Sequence, residues 1–87
     1  MVKIKKENIK QKVYNFTAIF ELAEEGGYIV YIPALPGCAT QGETFEEAEM
    51  MAKDAIEGYL KSMRDLKEEI PTESEKTVIS RIPVTVA

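Results

Sequence analysis

Residues 25–44 of the chain read EGGYIVYIPALPGCATQGET, and this stretch decides most of the fold. Gly26 and Gly27 can adopt the positive φ angles that a tight hairpin turn requires. The run that follows, residues 28–32, is aromatic or β-branched throughout, a composition typical of a central strand. We therefore predict that a hairpin turn leads directly into a strand at the centre of a sheet.

The second half of this stretch predicts a corner, a short strand and the start of a helix. Pro36 fixes its own φ and Gly37 tolerates a positive φ, so the pair favours a turn. Residues 38–41 are long enough for a short third strand. Thr44 is a preferred N-cap residue, and Glu47, three positions later, completes the capping box that marks a helix N-terminus.

Apolar residues at helical spacing predict one long helix over residues 45–66. The alanines among them would let this helix approach a sheet closely. Met50 lies off the apolar stripe, so we predict that its side chain is exposed. The stripe consists of Phe45, Ala48, Ala52, Ala55, Ile56, Tyr59, Leu60, Met63 and Leu66.

Two further segments alternate between apolar and polar residues, the pattern of a strand with one buried face. Residues 14–23 predict the first strand of the hairpin, and residues 77–86 predict a last strand after the helix. Pro83 cannot donate to a ladder, so this last strand should lie at an edge of the sheet. The predicted fold is α+β, in the order β-β-β-α-β, with one antiparallel sheet covered on one face by the helix.

Charge divides the chain into a short basic arm and an acidic body. Residues 1–12 hold five lysines and one glutamate, so residues 13–87 carry −8 within a total of −4. We predict that residues 13–87 form a single domain, and that residues 1–12 form a basic N-terminal arm or a strand extension. An acidic body attracts basic partners. The arm is open to two interpretations, a solvated terminus or a segment that binds nucleic acid.

Several kinds of catalytic chemistry have no residues to carry them. The chain has no histidine, which excludes a Ser-His-Asp triad and the usual base at neutral pH. Its glycines have neither P-loop nor dinucleotide-binding spacing. Cys38 is the only cysteine, and we interpret it as a small buried residue. We therefore predict a protein that is not an enzyme, with no cofactor and no metal. The absence of a secretory signal and of a membrane-spanning run predicts a cytoplasmic location.

The motifs described above resemble those of the HicB-like antitoxin family, the protein half of HicA–HicB toxin–antitoxin pairs. The resemblance covers roughly residues 14–66 and implies a fold likened to part of ribonuclease H. The residues that carry it are Glu24-Glu25-Gly26-Gly27-Tyr28, Pro33-Ala34-Leu35-Pro36-Gly37-Cys38, Thr40-Gln41-Gly42-Glu43-Thr44 and Glu46-Glu47-Ala48.

The resemblance implies a non-catalytic antitoxin that binds a small basic HicA-like toxin, an RNA-cleaving protein, and covers its active site. Only about twenty residues follow the predicted helix, so this looks like a short form without an obvious C-terminal DNA-binding segment. An oligomeric, operator-binding regulator that uses the basic arm is the alternative. A metal-dependent nuclease is a third, weaker hypothesis.

We predict that the partner binds along the surface from the hairpin to the helix start. Small size and an edge strand also predict a homodimer or a higher homo-oligomer. The candidate partner-binding residues are Tyr31, Pro33, Leu35, Pro36, Gln41, Glu43, Glu46, Glu47 and Met50.

Overall fold

The computed structural model describes residues 13–87 and contains three strands followed by one long helix. The elements are β1 (Ile19–Leu22), β2 (Tyr28–Tyr31), β3 (Ala39–Gly42) and α1 (Phe45–Asp65). The strands form an open antiparallel sheet in the order β1-β2-β3, with α1 packed against one face. The predicted α+β class is confirmed.

Glycine forms the turn between β1 and β2, as predicted. Gly26 and Gly27 have φ angles of 101° and 78°, which residues other than glycine rarely adopt. The Gly26 N–H donates to the Ala23 carbonyl at 3.0 Å, and the Ala23 N–H donates to the Gly27 carbonyl at 3.0 Å. The turn sets a register in which Phe20 lies opposite Val30. This register directs both side chains toward the helix.

Two consecutive β-turns, each with proline at its second position, connect β2 to β3. In the first, the Leu35 N–H donates to the Ile32 carbonyl at 3.0 Å; in the second, the Cys38 N–H donates to the Leu35 carbonyl at 2.9 Å. Gly37 has a φ of 83° at the third position of the second turn, as a type II turn requires. These residues form a corner, residues 33–37, whose geometry buries Leu35 and Cys38.

Hydrogen bonds at both ends define the limits of α1. At its start, the Thr44 hydroxyl accepts from the Glu47 N–H at 3.1 Å, which confirms the predicted N-cap. At its end, Lys67 has a φ of 60°, and the Glu68 N–H donates to the Met63 carbonyl at 2.9 Å. This is the pattern of a Schellman motif, which ends a helix by pairing its last carbonyls.

The core lies between the sheet and α1, and small helix residues keep the two layers close. Ala48 and Ala52 are buried one turn apart on α1. A Cβ placed on Gly42 would lie 2.5 Å from the Ala48 backbone nitrogen, so β3 and α1 meet backbone to backbone. The predicted helix stripe is confirmed except at its two ends: Leu66 is 67% exposed, and Phe45 is 40% exposed although its ring contacts Phe20 and Tyr28. The buried residues are Val30, Ile32, Leu35, Cys38, Ala48 and Ala52.

The first strand is shorter than predicted, because its partner strand ends early. Ile19 pairs with Tyr31, the last residue of β2, and the corner begins two residues later at Pro33. Residues 14–18 therefore have no partner on β2. The Thr17 N–H and hydroxyl instead donate to the Glu73 carboxylate at 2.9 and 2.7 Å.

The predicted last strand is not formed within residues 13–87. Residues 77–86 have the predicted alternation, but they are exposed and pair with neither edge of the sheet of their own chain. The alternation of a sequence records which face is to be buried, but it does not provide a partner strand. The likeness to part of ribonuclease H stays a prediction. The basic arm, residues 1–12, lies outside the described residues.

Candidate functional site

A shallow cleft of about 450 Å³ opens between the β1–β2 turn and the start of α1. Its floor is glycine, because Gly26, Gly27 and Gly42 place backbone where side chains would otherwise fill the space. Three glutamates lie around it together with exposed apolar side chains. We call this feature the acidic cleft. Its other lining residues are Ala23, Glu25, Tyr28, Ile29, Gln41, Glu43, Glu47 and Met51.

The charge of this region has one sign. Residues 13–52 contain seven glutamates and no lysine or arginine, and every cation of residues 13–87 lies at Lys53 or beyond. The sheet, its turns and the first two turns of α1 therefore present a negative surface. Such a surface speeds and orients the encounter with a basic protein and disfavours phosphate backbones.

Glu47, one of the three cleft glutamates, stabilises the backbone at the start of α1. The Glu47 carboxylate accepts a hydrogen bond from the Glu43 N–H, while the Glu47 N–H donates to Thr44. This arrangement fixes the backbone that carries the Glu43 side chain. Glu25 lies at the tip of the hairpin, on the other side of the cleft. Glu25 and Glu43 are therefore more readily available to a partner than Glu47.

Apolar contacts are also available beside the charge. Ile29 is 43% exposed on β2, and Met51 is 41% exposed on α1. Sequence analysis missed both residues. Ile29 belongs to a strand predicted to be central, and Met51 lies between the apolar stripe and the charged face of the helix. The exposure of Ile29 follows from the open face of the sheet, which the helix does not cover.

Three of the predicted partner-binding residues line the acidic cleft: Gln41, Glu43 and Glu47. Glu46 and Met50 lie one turn apart on the exposed side of α1, and Met50 is 71% exposed as predicted. These five residues form one region around the helix start.

The other predicted residues lie on the open face of the sheet or in the corner. Tyr31 is 38% exposed on β2, and Pro33 and Pro36 are exposed in the corner. Leu35 has an exposed fraction of 0%, so it cannot contact a partner directly. The two β-turns direct its side chain inward, and its role is that of a core residue.

The corner is also attached to the helix. The Tyr59 hydroxyl donates to the Pro36 carbonyl at 2.8 Å, which holds the exposed prolines at a fixed distance from α1. Cys38 is buried behind the corner, and this burial raises the pKa of its thiol. A raised pKa keeps the thiol protonated and unreactive, in agreement with the predicted role as a small core residue.

No helix in residues 13–87 has the length and apolar character needed to cross a membrane. The same residues include no group of three or more histidine, cysteine or acidic side chains that could hold a metal ion.

Comparison with known proteins identifies relatives along most of the chain. A UPF0150 protein of Thermoplasma acidophilum is 41% identical over 63 residues, which cover 72% of this chain and 91% of the relative. A UPF0150 protein of Synechocystis is 36% identical over 76 residues, which cover 87% of this chain and 94% of the relative. Antitoxin HicB 1 of Photorhabdus laumondii is 47% identical over 45 residues, 52% of this chain and 29% of that antitoxin.

The family comparison covers the sheet, the helix and part of the C-terminal segment. Residues 16–83 match the family described as HicB_like antitoxin of bacterial toxin-antitoxin system. The match includes the acidic cleft and the corner. The chain belongs to the HicB-like antitoxin family, and its role is in a toxin–antitoxin system.

Proposed function

We propose that the chain is a non-catalytic antitoxin that binds a HicA-like, RNA-cleaving toxin and covers its active site. An RNA-cleaving protein needs a basic surface to hold the phosphate backbone. A negative protein surface of matching shape competes with RNA for the lysine and arginine side chains of that basic surface. The acidic cleft supplies this surface, and the proposal depends on one observation above all, the absence of any lysine or arginine in residues 13–52.

We propose that the toxin contacts the acidic cleft first and the neighbouring exposed residues around it. Glu25 and Glu43 would pair with toxin cations, while Ile29 and Met51 would exclude water between them. Desolvated aromatic and aliphatic anchors provide most of the affinity of an interface, and charge provides its orientation and speed. The remaining contacts would come from Tyr31, Pro33, Pro36, Gln41, Glu46, Glu47 and Met50.

The test is a binding and inhibition assay with the protein encoded by the adjacent gene. We expect that protein to be toxic alone, to cleave RNA, and to lose both activities when this chain is present. Affinity should fall as salt rises, because exposed charge pairs are screened. A neighbouring protein that is neither toxic nor bound by this chain would contradict the proposal.

Charge-reversal variants locate the interface. Glu25→Lys/Glu43→Lys should weaken toxin binding at least tenfold, which corresponds to about 1.4 kcal/mol. The matched control is Asp65→Lys/Glu68→Lys, which makes the same change in net charge at the far end of α1. If the two variants weaken binding equally, total charge and not the acidic cleft governs recognition.

The proposal has three further parts. The chain should not cleave RNA when it is purified with magnesium or manganese, and cleavage would revive the nuclease hypothesis. It should act in the cytoplasm, where a free thiol such as that of Cys38 stays reduced. It should also be a homodimer or a higher homo-oligomer, as light scattering would show.

Operator binding by residues 1–12 stays an alternative. The observation that favours it is the net charge of +4 on those residues, the most basic segment of the chain. Binding to upstream DNA should then fall steeply with salt and disappear when residues 1–12 are deleted. Binding that survives the deletion would contradict a role for the arm.

A further inference from the structure

The C-terminal tail, which we define as residues 77–87, is the most exposed apolar segment of the described chain. Its five aliphatic side chains are between 70% and 86% exposed. Because side chains alternate along an extended chain, four of the five share one face with Ser80. That face would be buried in any stable arrangement of a strand. The five residues are Val78, Ile79, Ile82, Val84 and Val86.

The C-terminal tail leaves the domain beside the N-terminal end of β1. Glu73 is held there by two hydrogen bonds from Thr17. Thr77 and Ile79 line a small depression together with Phe16. Beyond this point the aliphatic side chains of the tail are exposed, and the tail pairs with neither edge of the sheet of its own chain.

An apolar groove runs beside the free edge of β1. Its volume is about 490 Å³, and it lies between the β1 side of the sheet and α1. Charged residues of α1 (Glu49, Lys53 and Glu57) form its outer rim. We call this feature the β1 groove. Its apolar lining consists of Phe16, Ala18, Phe20, Ala52, Ile56 and Leu60.

The edge above the β1 groove is open. β1 pairs with β2 on one side, and within residues 13–87 no strand pairs with its other side. An open strand edge with an apolar surface beneath it is the arrangement that accepts an added strand. Hydrogen bonds from the edge provide affinity, and alternate side chains of the added strand enter the groove.

We propose that two copies of the chain exchange their C-terminal tails, each tail adding as a strand to the β1 edge of the other copy. The apolar face of the tail then fills the β1 groove. This inference rests on the homo-oligomer part of the proposed function and does not depend on the toxin.

Length and symmetry favour a second copy as the occupant. Eleven extended residues span about 36 Å, enough to run along β1 and the segment before it on a neighbouring molecule. The tail does not line the β1 groove of its own domain, and its aliphatic side chains are exposed. A two-fold axis makes the exchange reciprocal, so both tails are buried and the β1 edge of each copy gains a partner strand.

Pro83 fixes how the tail must pair. Backbone N–H groups of a strand point alternately to its two sides, and proline has none to give. Pro83 must therefore lie where the N–H would face solvent. The N–H groups of Ser80, Ile82 and Val84 then point toward β1, whereas those of Arg81 and Thr85 point away. Amide hydrogen exchange of the full chain should show protection at the first three residues and not at the last two.

Light scattering of the full chain and of two matched variants tests the exchange. We expect twice the chain mass for the full chain. Ile82→Asp/Val84→Asp places two charges on the apolar face and should reduce the mass to that of one chain. Thr85→Asp/Ala87→Asp adds the same two charges to the opposite face and should leave the dimer intact. Circular dichroism checks that each variant keeps the sheet and helix.

A photocrosslinker attached through Thr85→Cys, in a mixture of isotope-labelled and unlabelled chains, identifies the acceptor. Crosslinks to residues 13–24 of the other isotope are expected, and crosslinks confined to one isotope would overturn the exchange. A dimer that persists in Ile82→Asp/Val84→Asp would overturn the exchange while the homo-oligomer stands. A monomeric full chain would overturn both. None of these outcomes alters the test of toxin binding.

Discussion

The corner after β2 and the C-terminal tail are similar in composition but opposite in burial. Both contain proline among aliphatic residues, yet Leu35 is fully buried whereas Ile82 is 74% exposed. The corner folds through hydrogen bonds between residues three positions apart, so its partners are always within reach. The tail needs a strand edge that its own chain does not place beside it. Apolar pattern alone therefore does not decide burial; the distance to a partner along the chain does.

The comparison predicts that the same substitution lowers the free energy of unfolding much more at a buried leucine than at an exposed one. Leu35→Ala should lower the free energy of unfolding by about 3 kcal/mol, because it leaves a cavity in the core. Leu22→Ala, at a residue that is 74% exposed on β1, should change it by less than about 0.5 kcal/mol. Urea denaturation followed by circular dichroism measures both. Equal losses would mean that the corner does not anchor the core.

The next largest loss of stability is expected where the backbones of β3 and α1 meet. Gly42→Ala should cost about 2 kcal/mol, because the new Cβ would lie 2.5 Å from the Ala48 nitrogen and 2.7 Å from its Cα. Gly58→Ala is the control. No atom beyond its chain neighbours and the adjacent helix backbone lies within 4 Å of its Cβ position, and glycine weakens a helix, so this variant should gain about 0.5–1 kcal/mol. Thermal unfolding distinguishes the two signs, and a stable Gly42→Ala variant would contradict the tight β3–α1 contact.

A smaller effect is expected at the N-cap that joins β3 to α1. Thr44→Ala removes the hydroxyl that accepts from the Glu47 N–H and should cost about 1 kcal/mol. Thr44→Ser keeps the acceptor and should remain within a few tenths of a kcal/mol of the parent. Chemical denaturation measures the difference. If both variants lose the same stability, the threonine methyl group and not the cap is responsible.

The smallest effect is at the point where the tail leaves the domain. The hydrogen bonds from the Thr17 side chain and backbone lower the pKa of Glu73 below its ordinary value of 4.5. A lowered folded-state pKa means that this attachment stabilises the fold above pH 4.5 and is lost as the pH falls through the lower value. The Thr17 amide resonance should therefore titrate below pH 4.5. In Glu73→Gln this titration should be absent; if it persists, another carboxyl group is its source.

Sequence predicted those features of the site that depend on neighbouring residues. Gly26-Gly27, Pro36-Gly37 and Thr44 with Glu47 each encode a turn or a cap within a few positions, and each is formed as expected. Their combination places Gln41, Glu43 and Glu47 together at the acidic cleft. The exposure of Ile29, the exposure of Met51 and the burial of Leu35 were missed. They depend on which face of the sheet the helix covers, on how the helix is rotated against the sheet and on how the corner turns.

The sequence by itself determined the helix, the three strand segments that precede it, the turns between them and the negative sign of the body. These properties arise from local backbone preference and from counting charges, so they need no knowledge of distant contacts. Only the tertiary structure decided that β1 begins as late as Ile19, that Leu35 belongs to the core, and that residues 77–87 find no strand partner within their own domain. The reason is physical: pairing and burial require two surfaces to meet, and a pattern in one segment describes only one of them.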